Sequence, residues 1–322
     1  MTRRTLGLLV ILALAVLVAP LAAAPPAGTM PRVGVLVSTS AAVAAAPLEA
    51  FRQRLRALGY VEGQTLALEY RFAEGRYDRL ADLAASLVRL PVDVLVAGSP
   101  AMIRAATQAT TTIPVVGIGV PTGGFAGLLR PGANLTGVAT GAEEIRRTGQ
   151  ALLQALLPGV SRLAMLRDAH SGTGRRRAMG IGARLTGVRL QALEVQGPHE
   201  FERAFAAAAM ARADALLVPG SGLFAMHPSQ IAALALQHHL PTLAPFREFV
   251  EAGCLMAYGP NVAGLFRQAA SAVDRLLRGA KPSDLPVEEP AQFELAINLK
   301  TAEALGLTVP ASLLVQATEV IR

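Results

Sequence analysis

Short apolar runs recur along the chain and alternate with segments in which apolar residues are spaced three and four apart. Residues 33–37 form a continuous apolar run, which is typical of a strand buried on both faces of a parallel sheet. Residues 47–58 then show helical spacing, and Gly59 is a helix stop. Because a buried strand followed by a helix recurs along the chain, the pattern predicts an α/β protein with parallel sheets covered by helices.

The same pattern continues to the carboxyl terminus. Further strands are predicted at residues 65–72, 92–97, 113–118, 162–166, 188–195, 214–218, 240–244, 254–258 and 293–299. Helices are predicted at residues 77–89, from Pro100 onward, and at 143–157, 174–185, 200–211, 221–238, 261–278 and 301–305, with residues 311–321 closing the chain. Two successive strand–helix series of similar length indicate two lobes.

Two segments are predicted to carry the chain between the lobes. Residues 130–138 are rich in loop formers and then apolar, as expected of a first crossing. Residues 245–261 contain Gly259-Pro260, which stops a strand just before a long helical pattern. We expect this segment to line the cleft between the lobes and then to return the chain to the first lobe. The first lobe is therefore predicted to comprise residues 31–135 with 260–285, and the second 136–259 with 286–322.

The amino terminus has the pattern of a secretory signal. Arg3 and Arg4 precede an uncharged apolar run at residues 6–18, and small residues follow at 22–24. The run is shorter than the roughly 20 residues of a membrane-spanning helix. We expect residues 1–24 to be a signal peptide and the mature protein to be periplasmic.

Composition removes several classes of function. The chain has 322 residues, of which 52% are apolar and 4% aromatic, with a net charge of +7. Basic residues are scattered among acidic ones, whereas a nucleic-acid site needs clustered charge with stacking aromatics. We expect no nucleic-acid partner. The single cysteine, Cys254, lies in an apolar run and is expected to be a buried small side chain.

Catalytic and cofactor motifs are incomplete. The glycines at 117, 119, 123 and 124 depart from the dinucleotide spacing. The glycines beside Ser221 are too close to the serine for a nucleophile elbow, and Ser99 fails in the same way. The histidines show no metal-ligand spacing. We expect no enzyme activity, no metal and no cofactor, with an exported α/β hydrolase as the least favoured alternative.

Small and hydroxyl residues instead follow the predicted strands. Loops at strand carboxyl ends, with free N–H groups at helix starts, bind anionic groups without any catalytic residue. The candidate ligand-binding residues are Ser38, Thr39, Ser40, Gly98, Ser99, Gly119, Asp168, Ser171, Gly220, Ser221, Phe246, Arg247 and Tyr258.

Five stretches give the chain a family likeness. They are residues 55–64 (LRALGYVEGQ), 69–80 (EYRFAEGRYDRL), 246–253 (FREFVEAG), 256–260 (MAYGP) and 293–302 (FELAINLKTA). From Arg32 onward the chain resembles the periplasmic substrate-binding proteins of ABC transporters, in the family whose characterised members bind aromatic amino acids. The resemblance implies a type I periplasmic binding fold, in which two Rossmann-like lobes are joined by a multi-strand hinge and close on a ligand.

Two positions depart from the family pattern. The family shows Gly-Asp-Pro where this chain has Gly119-Val120-Pro121, and Trp-Asn-Pro where it has Arg167-Asp168-Ala169. If the missing carboxylate meets a ligand ammonium in relatives, Asp168 is the residue that could replace it here.

The resemblance implies a monomeric binding protein that captures a small organic solute, with an amino acid as the candidate, and delivers it to a membrane permease. A sensing module for a receptor is the main alternative. Phe246, Arg247 and Tyr258 are predicted to meet the apolar body and carboxylate of the solute. Their alternative role is hinge or core packing, with Arg247 paired to Glu248 or Glu251.

Overall fold

Two separate parallel-dominated sheets form the protein, according to a computed structural model that describes residues 30–120, 134–171 and 188–322. The first sheet has the order β2-β1-β3-β4-β5, and its strands all pair in parallel. Its strands are β1 (Arg32–Val37), β2 (Ala67–Phe72), β3 (Val94–Ala97), β4 (Val115–Val120) and β5 (Leu135–Ala139). The helices between them are α1 (Ala45–Ala57), α2 (Leu80–Val88) and α3 (Pro100–Ala109).

The second sheet has the order β12-β11-β10-β9-β8-β6-β7. Its strands are β6 (Arg162–Asp168), β7 (Arg189–Val195), β8 (Ala215–Leu217), β9 (Thr242–Ala244), β10 (Met256–Pro260), β11 (Phe293–Asn298) and β12 (Glu319–Ile321). The remaining helices are α4 (Ala142–Leu156), α5 (Phe201–Met210), α6 (Gly222–Ala225), α7 (Pro228–Gln237), α8 (Arg247–Glu251), α9 (Val262–Leu277), α10 (Leu299–Ala304) and α11 (Ala311–Gln316). Strands β10 and β11 pair antiparallel.

The apolar runs form strands because each is covered on both faces. Val33 and Val35 of β1 pack with Phe51 and Leu55 of α1 in one buried cluster, on one face of the first sheet. Leu36 of β1 belongs to the cluster that α2 and α3 form on the other face. The predicted α/β class and the two-lobed architecture are confirmed.

Helix α9 returns the chain to the first lobe after β10. Its apolar face, with Leu265, Ala269 and Val273, belongs to the same buried cluster as Phe51 and Leu55 of α1. The side chain of Asn261 caps this helix by accepting a hydrogen bond from the N–H of Gly264. The chain therefore passes from the second lobe to the first directly after Gly259-Pro260.

The crossing expected at residues 130–138 is wrong in its described part, because residues 135–139 are strand β5 of the first sheet. The chain passes to the second sheet after Ala139, beyond the predicted boundary at 135/136. Residues 135–139 stay in the first lobe because they pair with β4, in which Gly117 lies opposite Gly137. The first lobe also extends past residue 285, because the backbone of Glu288 bonds to Gly137 and Ala139.

Several predictions concern residues outside the described ranges. The signal peptide at 1–24, the glycine-rich loop beyond Val120 and the helix at 174–185 belong to this group. Strand β12 was not predicted, since residues 319–321 are too short a run to show a period. Among the described residues, no helix combines the length and apolarity needed to cross a membrane.

Gly137 provides a test of the β4–β5 pairing. Its φ is +138°, and a Cβ atom there would lie 2.0 Å from the Gly117 carbonyl oxygen. Replacing it by alanine forces two paired strands apart, so we expect Gly137→Ala to lower the free energy of unfolding by about 3 kcal/mol or more. Chemical denaturation measures this loss. Gly159→Ala is the control, because a Cβ there has no described heavy atom within 4 Å; equal stability of the two variants would contradict the pairing.

Candidate functional site

The carboxyl ends of both sheets border one cleft. The cleft has a volume of about 570 Å³ and is lined by residues that follow strands of both lobes. Ligands of open α/β sheets bind at this edge, and volumes of about 300–1,000 Å³ are usual for small-molecule sites. The cleft between the lobes is therefore the candidate site.

The predicted site residues divide into two groups. The residues that line the cleft are Ser38, Thr39, Gly98, Ser99, Gly119, Ser171, Gly220, Ser221, Phe246 and Tyr258. The residues that do not line it are Ser40, Asp168 and Arg247.

The first-lobe wall combines hydroxyl groups with apolar side chains. Ser38 follows β1, and Ser99 follows β3 and caps helix α3 by accepting a hydrogen bond from the Met102 N–H at 3.4 Å. Because that hydroxyl oxygen accepts from the helix, its hydrogen is left to donate elsewhere. Met102 and Ile118 add apolar surface to the same wall.

The second-lobe wall is built around Ser221 and Phe246. Ser221 caps the short helix α6 by accepting from the Phe224 N–H at 3.2 Å. The Phe246 ring, half-buried, lies against Gly220, where an added Cβ would stand 3.4 Å from the ring. The ring consequently joins the loops after β8 and β9 into one surface.

Arg247 was predicted to bind a carboxylate, and the structure places it elsewhere. It is the first residue of helix α8, and its guanidinium is exposed and pairs with Glu251 one turn later, at 3.2 Å, and with Glu319 at 3.5 Å. The side chain thus lies on the outer surface of the second lobe. Ser40 does not line the cleft either, and its hydroxyl accepts a bond from the Val43 N–H.

Tyr258 lies at the junction of the crossing segments. Its ring stacks on Phe293 with centroids 5.8 Å apart, and its hydroxyl donates to Glu144 Oε1 at 3.0 Å. That bond, together with the one from Thr148, holds the pKa of Glu144 below its usual value; the Thr148 bond contributes most. Tyr258 therefore faces the cleft as part of the hinge.

Tyr77 lines the cleft but was not among the predicted site residues. It follows β2 and lies in the first lobe, yet its hydroxyl accepts a hydrogen bond from the Gly222 N–H of the second lobe at 2.7 Å. A signal was available, since the loop after β2 also ends at the cleft edge.

Asp168 is buried behind the cleft surface. Only 4% of it is exposed, and its Oδ1 accepts a bond from the His170 N–H at 2.9 Å. Its Oδ2 makes no standard hydrogen bond within the described part of the chain. The Tyr77 hydroxyl lies near it, and burial first, then the charge of Asp168, raise the pKa of Tyr77 to about 12. The tyrosine stays protonated at every physiological pH.

A family model described as ABC transporter substrate binding protein matches residues 32–321. The chain belongs to this family.

Sequence and structure comparisons agree with that membership. A tyrosine-binding protein of Clostridioides difficile (strain R20291) is 22% identical over 263 residues, covering 80% of this chain and 75% of the relative. The ABC domain from Streptococcus pneumoniae, solved in complex with L-Trp, has a TM-score of 0.80 at 24% identity, covering 90% of this substrate-binding protein and 99% of that chain.

A conserved domain protein from Vibrio cholerae has a TM-score of 0.81, again at 24% identity, with the same coverage of both chains. At these identities the solved structures establish the fold. The type I periplasmic binding fold is shared with other solute-binding proteins, such as a leucine-binding protein from Thermotoga maritima with a TM-score of 0.59 at 13% identity and 83% and 95% coverage.

Few side chains of the described cleft lining of this substrate-binding protein are charged. Its charged lining residues are Arg146, which pairs with Glu143, and Glu248. Among the described residues, no group of three or more His, Cys, Asp or Glu side chains could hold a metal ion. His227 packs edge-on against Phe201, and burial lowers its pKa. The matched family is one of substrate-binding proteins.

Cys254 gives a direct test of the buried second lobe. The side chain is 1% exposed, and burial raises the pKa of its thiol to about 12. Because the thiolate is the reactive form, we expect the folded protein to resist alkylation at pH 8 and to react fully once unfolded in guanidinium. Mass spectrometry measures the labelled fraction. Rapid labelling of the folded protein at pH 8 would contradict this burial.

Proposed function

We propose that this protein is the exported solute-binding component of an ABC transporter. It captures a small organic solute, with an amino acid as the leading candidate, between its two lobes and hands it to a membrane permease. The observation that carries the proposal is the cleft of about 570 Å³, which residues of both lobes line at the carboxyl ends of their strands.

The lining supports a solute with a polar end and an apolar body. Hydroxyl groups of Ser38, Ser99 and Ser221 border the cleft from both lobes and can donate hydrogen bonds to a carboxylate. Phe246 and Met102 supply apolar surface for the remainder of the solute. The names of the tyrosine-binding relative and of the L-Trp complex agree with such a ligand.

A solute held by residues of both lobes would favour closure of the lobes. A ligand shifts an open–closed equilibrium only through its different affinity for the two states. A solute that touches Ser99 on one lobe and Phe246 on the other makes both contacts only when the lobes are closed. The closed form then presents the loaded cleft to the permease.

Location and assembly complete the proposal. The signal-like residues 1–24 support export, and family membership supports a periplasmic or extracellular site of action. We expect a monomer, because a single chain supplies both walls of the cleft. Size-exclusion chromatography with light scattering tests that state, and permease and ATPase genes beside this gene would favour transport over sensing.

A ligand panel with paired variants tests the site. Thermal shift against the twenty amino acids and small carboxylic acids identifies a ligand, and calorimetry measures its affinity. Phe246→Ala removes apolar contact with the solute and should weaken binding by about 2 kcal/mol, or roughly 30-fold. Its neighbour Arg247→Ala should change the affinity less than about twofold, because that guanidinium lies outside the cleft.

Circular dichroism confirms that both variants are folded, and Phe246→Leu retains most of the apolar contact. A wild-type protein that binds nothing in the panel argues against an amino acid as the solute. A large loss of affinity in Arg247→Ala with an intact Phe246→Ala would place the solute on the opposite side of helix α8 and overturn the assignment.

A further inference from the structure

The Tyr77 hydroxyl makes a direct bond between the lobes. Tyr77 starts the helical turn after β2, where its ring packs with the apolar cluster of the first lobe. Its hydroxyl reaches Gly222, the first residue of α6 in the second lobe, and accepts the N–H bond at 2.7 Å. Because the two partners belong to different sheets, this bond forms only when the lobes are together.

The loops after β6 and β8 bring polar residues to the region of the second lobe where Gly222 lies. Asp168 lies at the end of β6 with a buried Oδ2, and Ser221 precedes Gly222 at the end of the neighbouring strand. A hydroxyl can accept from Gly222 and still offer its own hydrogen to a carboxylate. Burial, and then the charge of Asp168, raise the pKa of Tyr77 to about 12, so the phenol keeps its hydrogen.

We propose that Tyr77 is a latch between the lobes, whose hydroxyl accepts the Gly222 N–H and so helps to set the closed population of the protein. The inference rests on the proposed closure of the lobes, and it makes Tyr77 a positioning residue.

The need for glycine at position 222 supports the latch. A Cβ atom there would lie 3.0 Å from Cβ and Oγ of Ser38 and 3.3 Å from the Tyr77 hydroxyl, both in the opposite lobe. A second approach lies nearby, where a Cβ on Gly75 would stand 3.2 Å from the Met226 sulfur. The lobes are thus in van der Waals contact around the hydroxyl.

A latch of this kind acts on every ligand equally. The apparent dissociation constant equals the intrinsic one divided by the fraction of binding-competent protein. Removal of one bond that exists only in the closed state therefore weakens all solutes by the same factor. A residue that touches the solute would instead change the preference among solutes.

Spin-label distances test the latch without any ligand. Asp82→Cys on α2 and Ser229→Cys on α7 place labels at exposed positions on the two lobes, while the native Cys254 is buried. Pulsed electron paramagnetic resonance should show a short-distance population in the ligand-free protein. Tyr77→Phe should reduce the ratio of short to long distances by about 3- to 10-fold, as expected for the loss of one hydrogen bond.

Ligand affinity provides a second test of the latch. With L-tryptophan and L-tyrosine as probes, Tyr77→Phe should raise both dissociation constants by one common factor, at most the 3- to 10-fold change in the distance ratio. The ratio of the two constants should stay unchanged. Gly222→Ala should act in the same direction by steric contact with Ser38. Tyr70→Phe and Gly159→Ala are the matched controls, since the Tyr70 hydroxyl bonds to Arg52 within the first lobe.

Three results would overturn the latch. They are a ligand-free wild type that has only the long distance, an unchanged distance distribution in Tyr77→Phe, and a loss of affinity confined to one of the two amino acids. If neither amino acid binds the wild type, the proposed ligand class fails while the distance measurement still decides the latch. Equal unfolding midpoints of wild type and Tyr77→Phe exclude a general loss of stability.

Discussion

The direction of the strands determines where the candidate binding site lies. In each lobe the strands near the cleft run in parallel, so the loops that follow them emerge along one edge of the sheet. The two edges face one another across the cleft, and hydroxyl groups such as those of Ser38, Ser99 and Ser221 come together there from distant parts of the chain. No single loop supplies the site.

The segments that connect the two lobes pack so closely that they require glycine. A Cβ atom on Gly259, beside the return to the first lobe, would lie 1.9 Å from the carbonyl oxygen of Pro245. On Gly141, after the first passage, it would meet the Phe293 ring at 2.5 Å. Glycine at these positions allows the hinge segments to pack together, and Tyr258 ties them through Phe293 and Glu144. The segments that connect the lobes therefore pack closely through both backbone and side-chain contacts.

The cleft contains two kinds of contact with different consequences. Apolar side chains and hydroxyl groups of the lining are available to a solute, and their arrangement decides which solutes are bound. Tyr77 and Gly222 instead join the lobes to each other. Contacts of the second kind change the cost of closure without distinguishing between solutes, so affinity and selectivity can be adjusted at separate residues.

The sequence by itself determined the α/β class, the two lobes, nearly all described strands and the loops that reach the cleft, because buried parallel strands and amphipathic helices leave strong periodic signals. It did not determine that residues 135–139 pair with β4, since strand partners are chosen by packing across the sheet. It also could not distinguish Phe246, which lines the cleft, from Arg247, which points to Glu251 and Glu319. Adjacent residues at a helix start diverge in direction, and only the packed lobes fix that direction. For the same reason the bond between Tyr77 and Gly222 was hidden, because it joins positions far apart in the chain that meet only when both lobes are assembled.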